Sequence, residues 1–223
     1  MIRRSRLAAF AIAVTLALLV ACGEDATTPP ATAGGTARDA EALLPPIDRN
    51  QTLPPNDLAA LRHIYEPALA NLGLRLTRGQ LIDLGNGSYT PSNTGTHLAL
   101  YVEPIAEYSD DQYAQGLWDL TALITPDVFA RWADLRSYDI CQEPLPSVDD
   151  NPEPFPVTQV NITREAAATI DWENGSLGDL VRAARANKDL KLVVSRAVRQ
   201  SAAYKAAVGS ADPGTTAPTA TTP

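Results

Sequence analysis

The 223-residue sequence predicts an α+β fold, a two-layer sandwich in which amphipathic helices pack on one face of a mainly antiparallel sheet. Strand candidates alternate between apolar and polar residues, and helix candidates carry one apolar stripe. No strand candidate is apolar on both faces, as the strands of a parallel sheet covered on both sides would be. We therefore expect one buried and one solvated sheet face.

The first half of the predicted domain contains two helices and two strands. Apolar residues from Leu58 to Leu72 recur at helical spacing, and a strand follows from Leu74 to Leu84 with a bulge expected at Gly79. The stretch from His97 to Glu103 alternates most clearly and predicts the second strand. A second helix comes next, and we expect it to stop and restart at Thr125-Pro126.

The second half begins with an irregular stretch. Five prolines between Ser137 and Pro156 predict that this segment lacks regular structure. The elements expected after it are a strand from Val157 to Thr163, a helix capped by Ser176 and Asp179, and a strand from Leu190 to Val194. The pattern leaves helix and hairpin open over 164–172, and helix and strand open over 196–208.

The N-terminus has the composition of an export signal. Arg3, Arg4 and Arg6 precede an apolar stretch from Leu7 to Ala21 that only Thr15 interrupts. Fifteen helical residues extend roughly 22 Å, which is short of the ~30 Å hydrocarbon core of a membrane. The sequence therefore predicts a signal peptide over residues 1–21 rather than a spanning helix.

The end of this stretch, Leu19-Val20-Ala21-Cys22, resembles the lipobox of bacterial lipoproteins. The resemblance implies cleavage before Cys22, a diacylglyceryl group on its thiol, and a chain held by lipid on the extracytoplasmic face of the cell membrane. An ordinary cleaved signal peptide, with Cys22 incidental, is the alternative. Fifteen of the 18 basic residues are arginine and alanine is abundant, a composition that resembles proteins of GC-rich bacteria such as actinobacteria.

Composition also divides the chain into segments. Residues 22–56 are rich in Pro, Thr, Ala and Gly and predict a disordered tether, and residues 209–223 predict a disordered tail. Residues 57–208 between them have the length of a single domain with its own core.

The mature chain is acidic. Removal of residues 1–21 takes away three arginines and no acid, which leaves 15 basic and 26 acidic side chains and a formal charge of −11. Nucleic-acid binding depends on clustered Lys and Arg, and we expect no such cluster after Arg6. Nucleic acid is thus not an expected partner, and the lipid rather than the folded part is expected to bind the membrane.

Cys141 is left without an intramolecular partner if Cys22 is lipidated. It could be buried as a small apolar side chain, pair between chains, or react. Burial is favoured because no neighbouring base is evident in the local sequence.

The best strand candidate also carries a polar row. His97, Tyr101 and Glu103 project from one side of it, and neighbouring strands could bring Arg75, Gln159 or Lys191 beside them. This row could contact a partner or ligand, or it could be an ordinary solvated sheet face. Histidine is a common general acid or base in proteins, so His97 could have this role, but the sequence supplies no partner for it.

The sequence contains no motif that predicts a metal site, a catalytic nucleophile or a phosphate-binding loop. The oxygen ligands Asp149, Asp150, Asn151 and Glu153 do not have the spacing of a calcium loop, and His63 and His97 are too far apart for a zinc pair. No nucleophile elbow, metalloprotease motif or phosphate-binding loop occurs. We therefore predict no catalytic residue, metal or cofactor.

Together these features predict a non-catalytic, membrane-anchored lipoprotein that binds a partner protein or small ligand of the cell envelope. The contact surface would be the polar row around Tyr101 or the proline-rich loop from Asp139 to Pro156. The alternative is an envelope hydrolase in which His97 acts with Glu103 or with another carboxylate from a distant segment.

Overall fold

The computed structural model describes residues 35–84, 90–92, 94–145 and 156–209. Within these ranges the chain forms a six-stranded, mainly antiparallel sheet with helices, which confirms the predicted α+β class. The predicted signal peptide, Cys22, the predicted tail after Gly209 and the acidic stretch around Asp149 lie outside the described residues. None of the helices in the described ranges has the length and apolar character needed to cross a membrane.

The elements follow one another in mixed order. The helices are α1 Ala37–Glu41, α2 Leu58–Asn71, α3 Asp110–Arg131, α4 Arg164–Ala167, α5 Leu177–Ala186, α6 Arg196–Gln200 and α7 Ala202–Gly209. The strands are β1 Leu74–Asp83, β2 Thr90–Pro91, β3 His97–Pro104, β4 Ser137–Gln142, β5 Thr158–Thr163 and β6 Leu190–Val194.

The strand order in the sheet is β2-β1-β3-β4-β5-β6. Every neighbouring pair is antiparallel except β3 and β4, which run parallel in register from His97 beside Ser137 to Val102 beside Gln142. Parallel neighbours need a long crossover connection, and helix α3 supplies it. Among the described residues, β6 forms one edge of the sheet and pairs with β5 alone.

One face of the sheet joins the helices in a single apolar core. Because side chains alternate along a strand, Leu98, Leu100 and Val102 of β3 lie on the same face as Tyr138 and Ile140 of β4. They pack with buried residues of α2, α3 and α5, and the largest fully buried side chains are Trp132, Tyr65 and Tyr138. The opposite face of the sheet is mainly polar, but the expectation that it is solvated is wrong for β3 and β4, where His97, Glu103, Asp139 and Cys141 are each 8% exposed or less.

Two expectations about regular structure are wrong. Ser137–Gln142 forms strand β4, because Tyr138 and Ile140 alternate into the core and the first proline comes only at Pro144. Helix α3 continues through Pro126 without a restart. A proline removes one helical hydrogen bond, and here the buried face of the same helix holds it against the sheet on both sides of Pro126.

Smaller details of the elements also differ or are resolved. The irregularity in β1 lies at Thr77, where the register with β3 shifts between Leu76 and Arg78, and not at Gly79. Over 164–172 the chain forms helix α4 and turns rather than a hairpin, and 196–208 is helical.

The folded part begins before Asp57. Thr36 and Asp39 form a capping box at the start of α1, and Ala40 is fully buried. Arg131 of α3 donates hydrogen bonds to the carbonyls of Pro45 and Pro46. The expected tether over 22–56 is therefore wrong for residues 35–56, because a short capped helix and these carbonyls attach them to the core. Gly209, which we expected in the tail, ends α7.

Arg164 closes the C-terminal end of α3. Its guanidinium donates hydrogen bonds to the carbonyl oxygens of Phe129 at 2.8 Å, Trp132 at 2.6 Å and Leu135 at 2.9 and 3.1 Å. The last carbonyls of a helix have no partner within the helix, and this side chain satisfies that of Phe129. It also gives a charged donor to the carbonyl of Trp132, which accepts a second hydrogen bond from the N–H of Leu135 at 3.2 Å. The arginine thereby ties α4 to the end of α3.

We predict that Arg164→Ala lowers the free energy of unfolding by about 2–3 kcal/mol, because it leaves these carbonyls without a charged donor. Arg164→Lys should recover only part of the loss, since an ammonium cannot fork across several carbonyls. Equilibrium unfolding in urea measures the free energy of unfolding of both variants. Arg136 is the matched control, because it is exposed and its side chain forms no ion pair within the described residues; its replacement by alanine should change stability by less than about 0.5 kcal/mol. Equal effects at the two arginines would contradict this assignment.

Candidate functional site

The outer surface of the sheet, which we call the polar face, contains the predicted row His97, Tyr101 and Glu103. Arg75 of β1 lies opposite Glu103, and its Nε donates to Glu103 Oε1 at 2.5 Å. Glu103 is buried, whereas about half of the Arg75 side chain is exposed. The pair fixes the end of the row at the rim of the face.

Tyr101 lies at the middle of the polar face under an arginine. The Arg78 guanidinium lies 4.0 Å from the centre of the Tyr101 ring and also forms an ion pair with Glu143. The Thr77 hydroxyl lies between two acceptors, the Tyr101 carbonyl at 3.0 Å and the Glu143 carboxylate at 3.2 Å. Desolvation, reinforced by the Asp139 charge, raises the pKa of Tyr101, so its hydroxyl stays protonated at neutral pH. The result is a preorganised, partly exposed aromatic and cationic surface.

His97 lies at the other end of the row and is buried, with 1% of its surface exposed. Its Nδ1 is 2.9 Å from Ser137 Oγ on the neighbouring strand, and its Nε2 is 3.7 Å from Asp139 Oδ1. Asp139 Oδ2 accepts a hydrogen bond from Gln159 at 2.9 Å. Within the described part of the chain, His97 Nε2 and Asp139 Oδ1 have no hydrogen-bond partner.

This geometry does not favour the hydrolase alternative. Glu103 is six residues along β3 from His97, which is about 20 Å, and it is already paired with Arg75. The nearer carboxylate, Asp139, is too far from His97 for a direct hydrogen bond. A substrate would also have to reach an imidazole with almost no accessible surface. In the described ranges, no three His, Cys, Asp or Glu side chains are grouped to hold a metal ion.

Cys141 lies beside Tyr101 on the polar face and is 3% exposed. Burial raises the pKa of the Cys141 thiol to about 12, and the charges of Asp139 and Glu143 add to the shift. A thiol that remains protonated is neither a good nucleophile nor a good metal ligand. Its environment is that of an inert, buried side chain.

Sequence reasoning missed Ser137 and Asp139, the two residues that face His97. Both belong to the segment that we expected to be irregular because of its prolines. The alternation of Tyr138 and Ile140 with polar neighbours was the available signal. Gln159 and Lys191 do not lie beside the row as expected, because β4 separates β5 from β3, and both β4 and β5 separate β6 from it. Gln159 instead donates a hydrogen bond to Asp139 of the polar face.

A second feature is an open groove of about 1010 Å³ between α5, β6 and the α6–α7 segment, which we call the basic groove. Its lining contains five cationic side chains and no acidic one, and the cations are Arg185, Lys188, Lys191, Arg199 and Lys205. All five are exposed, and none forms an ion pair within the described residues.

The expectation that no basic cluster follows Arg6 is therefore wrong. Residues 182–205 contain seven basic side chains and one acid, Asp189. The basic residues are separated by two or more others along the chain, so they form no run in the sequence. Three helices, a turn and a strand bring five of them around one groove.

We predict that Cys141 resists thiol reagents in the folded protein, because a pKa near 12 leaves only about one thiolate in ten thousand at pH 8. Reaction of the full chain carrying Cys22→Ser with an aromatic disulfide reagent measures this. One thiol should react within minutes in 6 M guanidinium and at least about a hundredfold more slowly in buffer. Rapid reaction of the native chain would contradict the buried environment.

No known protein family, curated protein or solved structure matches this chain. Its function must therefore be inferred from the N-terminal sequence, the polar face and the basic groove.

Proposed function

We propose that this protein is a non-catalytic lipoprotein, anchored by lipid on Cys22 to the extracytoplasmic face of the cell membrane, that binds a protein or small ligand of the cell envelope. The observation that carries the proposal is Cys22 directly after Leu19-Val20-Ala21, at the end of a short apolar stretch preceded by three arginines. Each buried lipid methylene contributes about 0.8 kcal/mol, so two or three acyl chains suffice for stable anchoring.

The folded domain starts close to the proposed anchor. Twelve residues separate Cys22 from Gly35, the first described residue. Even a fully extended chain of that length spans at most roughly 45 Å. Gly35 would therefore lie within this distance of the proposed anchor, which favours partners in or near the membrane.

The polar face supports binding rather than catalysis. Tyr101 and Arg78 present an aromatic ring and a guanidinium at its middle, and both residue types are enriched among the strongest contacts in protein interfaces. The ion pairs with Glu103 and Glu143 hold the arginines before a partner arrives, which reduces the entropy lost on binding. His97 is buried beneath this surface, where it supports the sheet.

We predict that Cys22→Ala releases the protein from the membrane fraction of a bacterial host, because it removes the only proposed acylation site. Cell fractionation and intact-protein mass spectrometry measure the effect. The unaltered chain should be found with the membrane and carry the mass of a diacylglyceryl group, with or without a third acyl chain.

Cys141→Ala is the matched control, since it removes the other cysteine of the chain and should leave both anchoring and lipid mass unchanged. An unaltered chain that carries no lipid, or a Cys22→Ala chain that stays membrane-bound with its lipid, would overturn the proposed anchor.

A further inference from the structure

The free edge of β6 offers unpaired backbone groups. The N–H of Ser195 donates to the carbonyl of Val157, and the N–H of Thr163 donates to the carbonyl of Asp189. The backbone hydrogen-bonding groups of Asp189 and Ser195, which flank β6, therefore point toward β5. In an antiparallel pair the hydrogen-bonding positions alternate along the strand. The N–H and C=O groups of Leu192 and Val194 therefore point away from β5, toward the edge of the sheet.

One backbone group at the start of this edge already has a hydrogen-bond partner. The N–H of Leu190 donates to the carbonyl of Asn187 in the preceding turn, at 3.2 Å. Among the described residues, no group donates to or accepts from the outward backbone groups of Leu192 and Val194. Unpaired edge groups of this kind are a template for one more strand.

The basic groove runs along this same edge. Its lining includes Leu190, Lys191, Leu192 and Val194 of β6. The groove therefore follows β6, the strand that forms this edge of the sheet. Apolar side chains of α5 and α7, Val181 and Val208, complete its lining.

The charge of the groove is opposite to that of the rest of the protein. The whole chain has a formal charge of −8, yet the groove lining carries five cations and no acid. Of the nearby basic residues, Arg182 is neutralised by Asp179 and lies outside the lining. The one acid in this stretch, Asp189, is also outside the lining. An occupant of the groove must therefore supply negative charge.

We propose that the basic groove binds an extended, acidic segment of a partner protein, which adds to β6 as a seventh strand. Main-chain hydrogen bonds to Leu192 and Val194 would give affinity, and the surrounding cations would select acidic side chains. An acidic small molecule or lipid headgroup could match the charge but not the row of backbone donors and acceptors. The proposal concerns a surface separate from the polar face and does not depend on the lipid anchor.

Lysine on an edge strand can also have a purely protective role, since its charge discourages unwanted strand pairing. Four of the five cations of the groove, however, lie on helices or a turn rather than on β6. Protection of the edge requires charge on the strand itself, whereas a binding groove requires charge around it.

The test uses the full chain in nonionic detergent and a rhodamine-labelled peptide of eight residues that alternates Glu and Val, followed by fluorescence anisotropy. We expect saturable binding, weakened about tenfold or more by Lys191→Glu or Arg199→Glu. Arg196→Glu is the matched control, because Arg196 is exposed on the same short helix as Arg199 but lies outside the groove; it should change affinity by less than about twofold.

Two further peptides distinguish binding by strand addition from binding by charge attraction alone. A peptide of the same charge, N-methylated at alternate residues, cannot complete the ladder and should bind at least about tenfold more weakly. A peptide that alternates Lys and Val should not bind. Equal binding of the methylated peptide, equal loss with Arg196→Glu, or displacement of the peptide by short-chain phosphatidylglycerol at similar concentration would each overturn the proposal.

Discussion

The parallel pairing of β3 with β4 is the constraint on which the rest of the structure depends. Its register places Leu98, Leu100 and Val102 beside Tyr138 and Ile140 on the helix side. The same register fixes the polar face, because the intervening residues must point the other way. A slip of one residue in either strand would exchange its two faces, exposing leucines and burying the charged pairs of the polar face. Fold and candidate binding surface therefore have the same origin.

Local patterns predicted much of this arrangement, and tertiary packing explains what they missed. Alternation in β3 and β5 and the stripe of α2 were sufficient because their periodicity is uninterrupted. β4 was missed because the prolines that follow Gln142 dominate its surroundings, although its own residues alternate. Helix α1 has five residues and owes its place to packing against the core, which no local pattern reveals.

Some contacts of the two candidate surfaces could likewise be predicted from local patterns, and others required the tertiary structure. The contact between Arg75 and Glu103 follows from strand alternation once the two strands are neighbours, and the sequence suggested it. Asp139 beside His97 requires knowledge of the parallel register. The basic groove requires the relative positions of α5, β6 and the C-terminal helices, so a strongly acidic composition concealed it. An acidic domain with one basic groove and a rigid arginine–tyrosine face is suited to two distinct contacts.

The claim most central to this account is that the polar face contacts the envelope partner of the proposed function. Photo-crosslinking in living cells, with benzoylphenylalanine in place of Tyr101 or of exposed His63 on α2, tests it directly. The account predicts one adduct of defined mass from position 101, lost when Arg78→Ala is added, and none from position 63. An adduct from position 63 alone, or one from position 101 that is indifferent to Arg78→Ala, would contradict it.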